Sequence, residues 1–192
     1  MPDDFQLRPA RVGDVPGIAG IVNDYAEQGL MLHRAHAELY ESLRDYQVVE
    51  AGDQLLGVAG LRIMWSNLAE IYGLAVVSAA RGQGLGRRLV EALVDEARTL
   101  GVRRLFALTY ERSFFERCGF DVVDRHATLP LKVWSECVRC PKRTACDEIA
   151  VLRVLEDVPE LPAVQPSAEA GRYDLPVLSD SIKRIDASAR TT

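Results

Sequence analysis

Apolar and polar positions recur along the chain with two periods, and the switches between them mark the elements. Ile18, Ile21, Val22 and Tyr25 fall on one face of a helix; Asp14 stands where a cap belongs, and Gly29 stands where a helix ends. A second helix is predicted over 35–43. Residues 46–50 (YQVVE) and 54–65 (QLLGVAGLRIMW) read as strands joined by a hairpin at Ala51-Gly52-Asp53. Ser66-Asn67 turns the chain into a further run at 69–77 (AEIYGLAVV). After the glycine-rich RGQGLG comes a long amphipathic helix. Leu89, Val90, Leu93, Val94 and Ala97 form its apolar face, and Gly101 ends it. A short strand at 6–8, a strand at 104–109, a short helix at 113–117 and strands at 121–123 and 148–155 complete the prediction. Strands outnumber helices, and only some connections are helical crossovers. The pattern predicts a mixed sheet with helices on both faces.

Composition narrows the class. The chain has 192 residues, with 23 Lys and Arg against 28 Asp and Glu, a formal charge of −5. An acidic balance disfavours coating nucleic acid, which needs a surplus of positive charge. Apolar residues at 48% and charged residues at 27% are the balance of a globular protein. No apolar run reaches the roughly 20 residues of a membrane helix. The start, MPDDFQLRPA, is acidic and lacks the apolar stretch of a secretory signal, so a cytoplasmic location is expected. The four cysteines are then expected as thiols, metal ligands or redox groups rather than structural disulfides. From residue 156 the chain becomes rich in Pro, Glu and Ala. It reads as a compact domain over 1–155, with a Cys-containing insertion at 130–147, followed by a Pro-rich linker and tail over 156–192.

The candidate chemistry begins with Arg81-Gly82-Gln83-Gly84-Leu85-Gly86 and Arg87. Glycines between a strand and a helix let successive N–H groups point outward at a helix N-terminus, an anion cradle suited to a diphosphate. A plain turn with glycines for packing is the alternative. The P-loop reading fails because no Lys-Ser/Thr pair follows. The dinucleotide fingerprint fails because Arg87 stands where its third glycine belongs.

The segment resembles the pyrophosphate loop of the GNAT acetyltransferases, with Arg81, Gly84 and Gly86 in its fixed positions. EIYGLAV resembles the strand that receives the pantetheine arm in that family, and FFERCGF (residues 114–120) its downstream aromatic signature, in the same order over about residues 5–155. The resemblance implies an α+β, three-layer acyl-CoA N-acyltransferase fold with a mixed, largely antiparallel sheet flanked by helices. It implies acetyl-CoA as donor and an amine as acceptor. Leu74, Ala75 and Val76 would lie on the donor, with a β-bulge near them leaving N–H groups free to polarise the thioester carbonyl. Phe115 would lie beside it, where many relatives carry an acidic tyrosine.

Three further segments resemble N-acetylglutamate synthases: LHRAHAELYESLRDYQVVE, the Glu70 that opens the pantetheine strand, and LTYERSFFERCGF followed by Leu129-Pro130-Leu131-Lys132. This implies transfer of acetyl to the α-amine of glutamate, by direct attack, in arginine biosynthesis, with a homodimer as the family's habit. Glutamine, aminoadipate, a peptide or a polyamine as acceptor, and a non-catalytic acyl-CoA-binding module, are the alternatives. Glu70 is the candidate base. Thr109 and Tyr110 are candidate acids for the leaving thiolate. Arg34 and Lys132 are candidate partners for the acceptor's carboxylates. Arg8 reads as structural.

Cys137, Cys140 and Cys146 follow a C-x2-C-x5-C spacing that suits zinc, with Cys118 or His126 as a fourth ligand. Three thiols packed in a loop are the alternative. Arg139, Lys142 and Arg143 in the same segment are further candidates for carboxylate contacts.

Overall fold

Two successive hairpins build the centre of the sheet. In the computed structural model the described residues are 5–129, 140, 142 and 145–160. They form β1 (Gln6–Pro9), α1 (Val15–Glu27), α2 (His36–Glu41), β2 (Tyr46–Ala51), β3 (Gln54–Trp65), β4 (Leu68–Val76), α3 (Leu85–Thr99), β5 (Arg104–Thr109), α4 (Arg112–Arg117), β6 (Asp121–Val123), α5 (Arg125–Thr128) and β7 (Ile149–Val154). The sheet order is β1-β2-β3-β4-β5-β7-β6. Every neighbouring pair is antiparallel except β4–β5, which the α3 crossover makes parallel. This is the mixed, largely antiparallel sheet expected.

Helices cover both faces. α3 packs Leu89, Val90, Leu93, Val94 and Ala97 against Leu61, Ile71 and Leu105. α1 packs Val15, Ile18 and Val22 with Leu39 of α2 over Tyr46, Val48 and Tyr72. Each such fully buried Leu or Val contributes about 1.5–3 kcal/mol, which is why the middle of β3 reads as one continuous apolar run. Residues 156–160 lie against the same body: Val158 is buried, and Arg98 and Arg104 hold Asp157 and Glu160 at 2.7 and 2.6 Å.

Local chemistry moves some boundaries. α2 stops at Glu41, short of 43, because the Ser42 hydroxyl donates to the Glu38 carbonyl and the chain tightens into a 3-10 turn at Leu43–Asp45. Asp14 sits at the N-cap of α1 without capping it. Its carboxylate instead takes the Arg11 N–H at 2.6 Å and the Arg8 guanidinium. Arg8 also bonds Glu50, so it is structural, as read. α5 was not expected; Asp124 caps it by accepting from the His126 and Ala127 N–H groups.

One feature of β4 positions the site. Val58 pairs with Ala75 but Gly60 pairs with Tyr72, so β4 carries one extra residue at Gly73-Leu74. Gly73 has φ +61, the left-handed conformation such a bulge demands. Parallel pairing with β5 covers only Leu68 to Glu70, against Arg104 to Phe106. Past Glu70 the two strands part.

Candidate active site

The gap between β4 and β5 is the floor of a cavity of about 680 Å3, walled by α1, the chain after Gly29, the start of α3, α4 and the residues Cys140, Lys142, Cys146 and Glu148. Of the residues singled out from sequence, Glu70, Leu74, Ala75, Val76, Arg81, Gly86, Thr109, Tyr110, Phe115, Arg34, Cys140 and Cys146 all line it. The expected bulge lies at Gly73-Leu74, at the near edge of the 74–76 stretch. Gly82, Gln83 and Gly84 make the exposed turn before α3, and Gly84, at φ +78, is the helix N-cap. The first α3 amide to bond back is that of Arg88, to the Gly84 carbonyl at 3.1 Å. The amides of Leu85, Gly86 and Arg87 therefore precede the helical ladder, at its positive end. The side chain of Leu85 is core rather than cavity. Arg87 turns to the outer face of α3 and pairs with Glu91 at 2.8 Å.

Glu70 is the last residue of β4 paired to β5, so its side chain stands where the gap opens. Across β3 its direct partner is Arg62, which also lines the cavity. The Arg62 guanidinium lies 4.3 Å from the centre of the Tyr72 ring, and that of Arg34 lies 5.9 Å from it. Tyr72 donates to Asp45 at 3.0 Å, and burial pushes its phenol far above the ordinary range. Burial also raises the Asp45 carboxyl, against the pull of Tyr72 and Arg62. Tyr72 is therefore a neutral, fixed platform under two cations.

At the other end, Thr109 accepts the Glu111 N–H at 2.9 Å. Tyr110 accepts from Lys142 Nζ at 3.1 Å and hydrogen-bonds the Asp147 carboxylate, which it holds below the usual range. Burial raises the Tyr110 phenol. Phe115 is buried edge-on between Phe114 and Phe120. Cys118 is buried behind it, and burial pushes its thiol up.

The zinc reading gains no support. Among the described residues no group of three or more His, Cys, Asp or Glu is placed to hold a metal. Cys146 instead faces the Arg125 guanidinium at 3.1 Å, a cation where a zinc ligand would need room for another. Cys137, Arg139 and Arg143 lie outside the described residues, as does Lys132.

The chain is similar to known acetyltransferases over most of its length. The profile of the acetyltransferase (GNAT) family matches residues 20–120. An N-acetyltransferase of uncharacterised function from Chlorobaculum tepidum is 38% identical over 79% of this chain and 97% of its own length. The chain belongs to the GNAT acetyltransferase family. The acetyltransferase is also similar to the amino-acid acetyltransferase of Mycobacterium tuberculosis, at 37% identity over 62% of this chain and 69% of that one. Among solved structures it resembles N-acetylglutamate synthase from Neisseria gonorrhoeae, complexed with coenzyme A and N-acetyl-glutamate. That match has 29% identity and a TM-score of 0.72, over 79% of this chain and 35% of the synthase chain. No helix among the described residues of this acetyltransferase is long and apolar enough to cross a membrane.

Sequence reasoning missed Arg62, Tyr72, Tyr25 and Glu148 on the cavity wall. Arg62 shares a face with Glu70 and Tyr72 only because the β3–β4 register shifts between Ile63 and Trp65, which the sequence does not announce. Tyr25 and Glu148 reach the cavity through long-range packing.

Proposed function

We propose that this acetyltransferase moves acetyl from acetyl-CoA to the α-amine of glutamate. The observation that carries the reading is the pair of guanidinium groups, Arg34 and Arg62, that flank Tyr72 in the cavity that also holds Glu70. Two cations suit an acceptor with two carboxylates, because each guanidinium can take one carboxylate bidentately. They are the wrong lining for a polyamine. The names of the mycobacterial and neisserial relatives support the same substrate class.

In this reading the turn at Gly82 to Gly84 and the first amides of α3 hold the diphosphate of acetyl-CoA, with Arg81 beside them. Leu74, Ala75 and Val76 run along its pantetheine arm. The N–H groups at the bulge polarise the thioester carbonyl as negative charge develops on its oxygen. Glu70 removes a proton from the acceptor's ammonium, directly or through one water, and frees the lone pair for attack. Thr109 is the better placed hydroxyl for the departing thiolate, because the Tyr110 phenol is bonded to Asp147. A thiol of pKa about 8–9 needs little assistance to leave. The thiols Cys118, Cys140 and Cys146 are free.

The test is release of CoA thiol from acetyl-CoA with a panel of amines. Turnover with glutamate well above aspartate, glutamine and spermidine is expected. Activity confined to non-acidic amines would remove the glutamate assignment and leave the family membership standing.

A further inference from the structure

Tyr25 links the two donor-side elements of the cavity. Its backbone is fixed where α1 ends: the Leu30 N–H donates to the Tyr25 carbonyl at 3.0 Å and the Gly29 N–H to that of Ala26 at 2.9 Å, a Schellman turn. Its ring packs partly buried against the core under α1. Its hydroxyl donates to the Val76 carbonyl at 2.6 Å and accepts from Arg81 Nη2 at 2.7 Å and Nε at 3.1 Å. A phenol has one proton and two lone pairs, and this arrangement engages all three. Val76 closes β4, Arg81 opens the glycine turn, and all three residues line the cavity.

We propose that Tyr25 is a positioning residue for the donor's diphosphate, holding the Arg81 guanidinium against the end of β4 before the donor arrives. An exposed arginine samples many rotamers, and a bound anion must otherwise restrict them itself. Held along its Nε–Nη2 edge, Arg81 keeps its Nη1 group clear of the tyrosine. The proposal rests on the acetyl-CoA reading above. It does not depend on the acceptor, because CoA alone carries the diphosphate.

Titration calorimetry with CoA on the wild type, Tyr25→Phe, Arg81→Met and the double variant tests it. The phenylalanine keeps the ring in its packing and removes only the hydroxyl. Tyr25→Phe should weaken CoA binding about tenfold, the cost of one hydrogen-bonded link. In the Arg81→Met background the same change should have little further effect. Unchanged or tighter binding by Tyr25→Phe overturns the proposal. So does an equal loss with and without Arg81, which makes the tyrosine a packing residue. A wild-type chain that binds no CoA overturns the donor reading and this one together.

Discussion

Arg62 and Glu70 are direct cross-strand partners on the cavity side of β3 and β4, with the Arg62 guanidinium 4.3 Å from the centre of the Tyr72 ring. The pair sets a cation beside the carboxylate proposed as base. A base must carry its carboxylate ionised to accept a proton. The same cation is within the cavity to receive a carboxylate of the acceptor.

Arg62→Met should therefore raise KM for glutamate by about 10- to 100-fold, the loss of one charge-assisted contact. KM for acetyl-CoA should stay within about twofold, since Arg62 lies at the other end of the cavity from the glycine turn. Arg62→Lys should restore little, because an ammonium cannot reproduce the planar fork. Steady-state kinetics with each substrate varied in turn separates these outcomes. Equal rises in both KM values would mean that Arg62 supports the fold of the site rather than the acceptor.

Glu70→Gln keeps the shape of the side chain and removes its basicity. A fall in kcat of about 100- to 10,000-fold is expected, with KM for glutamate little changed. The variant should regain rate as pH rises, where more of the acceptor amine is already free. Retention of kcat within about tenfold would shift attention to Glu148, whose half-buried carboxyl is raised by burial on the opposite wall.

Gly60 makes room for the Tyr72 platform. A Cβ at this position would lie 2.7 Å from Tyr72 Cε1 and 3.2 Å from Tyr46 Cε1. Neither ring can withdraw easily, since Tyr72 is bonded to Asp45 and Tyr46 is fully buried. Gly60→Ala should cost about 1–3 kcal/mol of stability by overpacking and should also weaken glutamate binding. Chemical denaturation read beside KM tests both effects. Lost stability with unchanged KM would detach Tyr72 from the acceptor.

How much of this was legible depended on whether the cause was local. The glycine turn could be read because its backbone demands left-handed or close-packed positions that a glycine string announces. The face of α3 could be read because helical spacing of Leu89, Val90, Leu93 and Val94 has one interpretation. The Arg62–Glu70 pair could not. A regular hairpin closing at Ser66-Asn67, with Trp65 opposite Leu68, would place Ile63 opposite Glu70. An irregularity between Ile63 and Trp65 slips the register by one and substitutes Arg62. Tyr25 was read only as part of a helix face, because its partners lie 51 and 56 positions away. α5 was hidden by its length, although its Asp124 cap was visible. The cysteine spacing suggested a metal site, while Arg125 stands beside the thiol of Cys146.

Arg8 makes the fold's acid response predictable. Its guanidinium holds Asp14 at 2.7 Å and Glu50 at 2.5 Å, joining β1, β2 and the entry to α1. These hydrogen bonds hold both carboxyls below their usual range. A lowered folded-state pKa contributes stability that is fully present above the unfolded value, about 4, and is lost as pH falls through the folded value. Arg8→Met removes the cause of the lowering, so the two carboxyls then titrate near their ordinary values or above them. The variant should be less stable than the wild type at pH 7, and the gap should narrow steadily below about pH 4. Urea midpoints measured from neutral pH into the acid range show whether the curves converge. Parallel curves would mean that Arg8 acts through its buried alkyl chain and that the ion triad adds nothing to the cohesion of β1 with β2.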